Sequence, residues 1–141
     1  MNNKLSCFFS LFAGENMKQK VLMLDEFYAT GFADGIRDRL GYEVIFTDSL
    51  DQGKEETQTG IDLLVIEPFL YNSGVQQEQA IQVINEAKSQ KIPIYVFSSQ
   101  TLRTLNERGF NFDDDVKYSH KTIHPDNFYK NIAELVEGKA F

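Results

Sequence analysis

Short apolar runs that end abruptly in polar side chains constrain this chain more than any other feature. Val21-Leu22-Met23-Leu24 runs into Asp25-Glu26, and Leu63-Leu64-Val65-Ile66 runs into Glu67-Pro68. Ile94-Tyr95-Val96-Phe97 runs into Ser98-Ser99, and Val116-Lys117-Tyr118-Ser119-His120 runs into Lys121. Runs this short and this uniformly apolar read as strands buried on both faces, as in a parallel sheet covered by helices. Between them lie segments with helical spacing, so the chain alternates strand and helix. In an open parallel sheet, ligand chemistry gathers just beyond the carboxyl ends of the strands. The polar tips are therefore the candidate site.

Strands are expected over about Lys20–Leu24, Glu43–Phe46, Leu63–Glu67, Pro93–Phe97 and Val116–Ser119. A first helix over about Ala29–Leu40 carries an apolar stripe of Phe32, Ile36 and Leu40, and Gly41 is its natural stop. A second, over about Leu50–Thr57, has Asp48 or Ser49 as its cap but is weakly signalled, because Gly53 interrupts it. A loop with Pro68, Asn72 and Gly74 leads to a third helix over about Gln76–Gln90, with Ala80, Ile81, Ile84 and Ala87 inward. A short fourth spans about Gln100–Arg108 and stops at Gly109. The last, about Pro125–Glu137, starts with proline and buries Phe128, Ile132 and Leu135. Strict alternation of this kind predicts a flavodoxin-like, doubly wound five-stranded parallel sheet of order 2-1-3-4-5 with helices on both faces. Its switch point, between strands one and three, would set Asp25, Glu26 and Glu67 side by side.

The 141 residues suffice for one domain. It is expected over 17–141, behind an N-terminal extension of residues 1–16 that reads as disordered, as a misassigned start or as a docking tail. The run Lys4 to Gly14 also has the faint outline of a signal peptide. A formal charge of −7 argues against nucleic acid and against an anionic membrane surface as partners. The single cysteine, Cys7, permits neither an internal disulfide nor a cysteine zinc cluster, and points to the cytoplasm. No apolar stretch is long enough to span a bilayer.

Taken in order, the tips resemble the receiver domain of two-component response regulators, over about Met17 to Val136. Asp25 and Glu26 fall where that family has its acidic pair, and Glu67 where it has the phospho-accepting aspartate. Ser98 falls at its serine or threonine, Lys121 at its lysine, and Tyr118 at its aromatic switch position. Gly74 matches a glycine that opens the family's third helix. Departures are Thr122 after the lysine, Pro68 directly after the acidic tip, and the run Asp113-Asp114-Asp115.

The resemblance implies a Mg²⁺ site made by Asp25, Glu26 and Glu67, a lysine that bridges to a phosphoryl group, and a Ser98 hydroxyl that donates to it. Glutamate at position 67 disturbs this, since its carboxylate reaches about 1.5 Å further out, and in-line transfer tolerates little misplacement. Two readings of the acids therefore stand together: Mg²⁺ ligands, or a Glu67 that fills the metal position or neutralises Lys121. The leading expectation is a stand-alone pseudo-receiver that is not phosphorylated, in which Glu67 pairs with Lys121 and engages Ser98 as a partial mimic of the modified state.

Such a module would act through a protein partner (a kinase, phosphotransferase or effector) or as a homodimer. The surface expected for this is the face of helix four, strand five and helix five, with Arg103, Asn106, Lys117, Tyr118 and Lys130. The alternatives are an active phospho-accepting regulator and a small flavodoxin-like enzyme. Against the enzyme, no glycine-rich phosphate loop follows strand one, and no nucleophile has a base beside it in sequence. Plainer roles exist for several residues: Ser98 and Ser99 as helix caps, Tyr118 as an edge aromatic, and His120 and His124 as neither metal ligands nor a pair.

Overall fold

The computed structural model describes residues 18–70 and 74–138. The N-terminal extension with Cys7, and the loop residue Asn72, lie outside these residues.

Five parallel strands form one sheet in the order β2-β1-β3-β4-β5: β1 Lys20–Leu24, β2 Glu43–Thr47, β3 Leu63–Ile66, β4 Ile94–Ser98 and β5 Lys117–His120. The helices between them are α1 Thr30–Gly35, α2 Leu50–Thr59, α3 Gly74–Ser89, α4 Leu102–Glu107 and α5 Pro125–Glu137. This is the doubly wound, flavodoxin-like architecture read from the sequence, with element ends moved by one or two residues. β3 stops at Ile66, so Glu67 stands just past the strand. α3 begins two residues earlier than expected, and α4 is shorter because Thr101, not a serine, caps it through the Thr104 N–H.

Strand alternation divides the core in two. Leu22, Leu24, Leu64, Ile66 and Val96 point to one face, where they meet Ala80, Val83, Ile84, Ala87 and Leu105. Val21, Met23, Leu63, Val65, Tyr95 and Phe97 point to the other, against Ala29, Ala33, Ile36, Phe128 and Ile132. Each fully buried leucine or phenylalanine contributes about 2 kcal/mol of hydrophobic stabilisation. That fixes the strand register, because a slip by one residue would turn every such side chain outward.

The two helices that sequence spacing described least well have local reasons. α1 is preceded by a tight turn at Phe27–Ala29 and ends in a π turn at Ile36–Leu40, closed by Gly41 at φ 72°. α2 forms despite Gly53 because that glycine is the helix's contact with the sheet. A Cβ there would lie 3.0 Å from Leu24 Cδ1 and Cδ2. Ser49 caps α2 through the Gln52 N–H, and Thr57, also buried, returns its hydroxyl to the Gly53 carbonyl. On the α5 side, Tyr95 donates to Ser119 Oγ at 2.8 Å and accepts from Asn131 Nδ2 at 3.2 Å, so the buried phenol ties β4, β5 and α5 together.

Candidate functional site

The carboxyl ends of β1, β3 and β5 bring Asp25, Glu67 and Lys121 together. The Lys121 ammonium lies 2.8 Å from Asp25 Oδ1 and 3.3 Å from Glu67 Oε1, and both carboxylates are almost wholly buried. Tyr28, in the turn after β1, also bonds to the ammonium, its Oη at 2.8 Å and its ring centre at 4.8 Å.

Backbone donors complete the cage around Glu67. Its Oε2 accepts the Phe69 N–H at 3.0 Å, and its Oε1 accepts the Ser99 N–H at 2.9 Å. The loops after β3 and β4 thus aim one amide each at a single carboxylate, and the ammonium comes from the loop after β5. Two N–H groups and one ammonium converging on two oxygens make an anion cradle built of charge-assisted bonds. The anion in it is the protein's own side chain.

The loop after β4 is held from the other side by β5. Tyr118 donates to the Gln100 carbonyl, and His120 bonds the Ser99 carbonyl at 3.0 Å through Nε2. The Thr122 N–H donates to His120 Nδ1, which makes Nδ1 the acceptor and Nε2 the protonated nitrogen. Burial raises the Tyr118 phenol's pKa, and the Glu67 charge raises it further.

Electrostatics follow from two buried carboxylates sharing one ammonium. Burial pushes the Asp25 carboxyl up to about 6; Lys121 opposes the rise and the Glu67 charge adds to it. For Lys121, burial pulls the ammonium down, but hydrogen bonds to Asp25 and Tyr28 and the two carboxylate charges outweigh it, and its pKa is raised. Asp25 Oδ2 is buried with no hydrogen-bond partner.

Two sequence expectations need correction. Ser98 does not reach Glu67: its hydroxyl accepts the Gln100 N–H at 3.0 Å, and the neighbour Ser99 does the contacting. Nor does Glu26 join Asp25 and Glu67. It is exposed, and among the described residues no group of three His, Cys, Asp or Glu side chains could hold a metal ion. With Lys121 between the two remaining acids, the arrangement does not fit Mg²⁺ on Asp25, Glu26 and Glu67. Sequence reasoning also missed Phe69 and Ser99, which act through backbone groups, and Tyr28.

No family model matches the chain, and no curated protein sequence does. Solved structures do match. A response regulator receiver protein from Sinorhizobium medicae WSM419 aligns with a TM-score of 0.65 at 17% identity, over 85% of this chain and 95% of that one. The signal receiver domain of an HD domain-containing protein from Pseudomonas fluorescens Pf-5 gives 0.67 at 12%, over 87% and 98%. The chain has a receiver-like fold. At such identities the likeness speaks for fold alone, and a de novo designed Rossmann 2x3 protein also aligns, at 0.56 and 10% identity over 85% and 90%. Function must be argued from the site.

Proposed function

We propose that this domain is a receiver-like signalling module of the response-regulator type in which the Glu67 carboxylate stands where a phosphoryl group would otherwise be held. It works by protein–protein contact and not by phosphoryl transfer. The observation that carries this reading is the cradle: the Phe69 and Ser99 amides and the Lys121 ammonium all bind Glu67.

A phosphoryl group arriving at this site would have to displace Glu67 from those three donors. A carboxylate whose lone pairs are engaged in this way is also a poor nucleophile. The carboxylate carries about one negative charge against roughly two for a phosphoryl group, so the mimicry is partial. Lys121 supplies the compensating positive charge in place of a metal.

Partner contact is assigned to the face of α4, β5 and α5. Arg103, Lys117 and Lys130 are exposed there, and Tyr118 sits half-buried beside them. Asn106 is not part of the contact set, because its side chain is engaged with both the N–H and the carbonyl of Phe112. A heterologous protein or a second copy of the chain would dock on this face.

Incubation with acetyl phosphate and Mg²⁺ followed by intact-mass analysis tests the reading. An unchanged mass is expected. A stoichiometric gain of one phosphoryl group would overturn it.

A further inference from the structure

A notch of about 250 Å³ opens at the carboxyl ends of β1 and β2, walled by Asp25, Phe27, Phe46, Thr47 and Asp48. A separate polar hollow shares Asp48 with it and is lined further by Asp51 and Gln79. Among the described residues, no lysine or arginine lines either hollow. The notch is smaller than the roughly 300 Å³ at which drug-sized ligand sites begin, so it suits a single head group.

Three features of the notch ask for the same kind of occupant. Phe27 is 84% exposed, the most exposed large apolar side chain described. It stands beside the carboxylates Asp25 and Asp48, so one mouth offers an aromatic face and acidic groups together. Asp25, in the wall, is 1% exposed, yet its Oδ2 has no hydrogen-bond partner. A buried acceptor left unsatisfied is costly, and a donor brought to it would recover that cost. Finally, the buried cluster of Asp25, Glu67 and Lys121 holds two carboxylates against one ammonium. One further positive charge would balance it.

We propose that this notch receives an arginine side chain of a partner protein, its guanidinium stacked on Phe27 and donating toward Asp25 and Asp48. Arginine fits better than lysine. Its planar group carries five donors, stacks on aromatic faces and loses less hydration on burial. The inference rests on the reading of the domain as a protein-binding module and names the chemistry of a contact at the β1–β2 side of the sheet, separate from the α4, β5 and α5 face.

The test is an NMR titration of the ¹⁵N-labelled full chain with N-acetyl-arginine methylamide. Its citrulline and lysine counterparts and MgCl₂ serve as separate arms. Saturable shifts are expected at the Phe27, Phe46, Thr47 and Asp48 amides with the arginine probe. The uncharged citrulline probe should bind about tenfold more weakly, for loss of the charge-assisted bonds. Phe27→Ala should weaken arginine binding about threefold through the lost cation–π contact, and Asp48→Asn should weaken it as well, with resonances elsewhere unmoved.

No saturable shift with arginine overturns the proposal. So does citrulline or lysine binding as tightly as arginine, or Mg²⁺ filling the notch where arginine does not. A phosphoryl adduct in the mass experiment would remove the pseudo-receiver reading and leave this titration standing. A silent titration of a protein that also stays unphosphorylated would remove only the arginine site.

Discussion

Asp25→Asn should make the protein more stable at neutral pH, and the gain should depend on pH in a defined way. The Asp25 carboxyl titrates at about 6 in the folded protein against 3.8 for the free group. The folded state therefore binds a proton that the unfolded state has already lost. A carboxyl raised on folding contributes most below 3.8, and that contribution is lost as pH rises through about 6. The whole displacement is worth about 3 kcal/mol, and about half of it falls between about pH 5 and pH 8.

Asparagine keeps an oxygen where Oδ1 now accepts from Lys121 and from the Glu26 N–H. It removes the charge, and Lys121 retains Glu67 as its ion-pair partner. Urea melts of both proteins across that range measure the difference directly. The variant should gain on its parent by about 1–2 kcal/mol as pH rises from about 5 to 8. Parallel stability curves would refute the assignment of a strained, buried charge to Asp25.

Other substitutions probe other parts of the site and frame. Lys121→Met strips the counter-charge from two buried carboxylates and should cost about 3–5 kcal/mol in the same melts. Tyr118→Phe removes the bond to the Gln100 carbonyl and should cost about 1 kcal/mol while leaving Glu67 in its cradle. Gly35→Ala would put a Cβ 1.8 Å from Tyr129 Oη, inside the α1–α5 contact, and should lower stability by about 1–3 kcal/mol. Gly31→Ala, with nothing within 4 Å of its Cβ position, should be neutral or mildly stabilising, which makes it the control for the thermal melts.

The strands were legible because both faces of a parallel sheet demand apolar residues, and Leu22, Leu64 and Val96 have no other use. Asp25, Glu67 and Lys121 were legible for a related reason, as polar groups at the tips of such strands are forced to a common edge. The donors around Glu67 were not. Every residue but proline carries a backbone N–H, so nothing in the letters marks Phe69 and Ser99 as the two that converge. Telling Ser98 from Ser99 depends on where β4 ends. Ser98 is still in the strand, its hydroxyl turned to the Gln100 amide, whereas Ser99 is already in the loop. Glu26 follows the same logic at the end of β1, since the residue after Asp25 leaves the sheet and faces solvent. Gly53 reads as a helix breaker in isolation and becomes a packing surface only once Leu24 is placed beneath it.

The central claim is that Glu67, and not an exogenous group, fills the anion cradle. The most direct measurement is the ¹H–¹⁵N spectrum of the wild-type protein and of Glu67→Ala at neutral pH. Amide protons that donate to a carboxylate resonate downfield. In the wild type, those of Phe69 and Ser99 should therefore stand downfield, and both should move strongly upfield in the variant, while signals around the Lys88–Asp115 ion pair, at the opposite end of the strands, stay in place. Phe69 and Ser99 amides that do not respond to loss of the carboxylate would contradict the account.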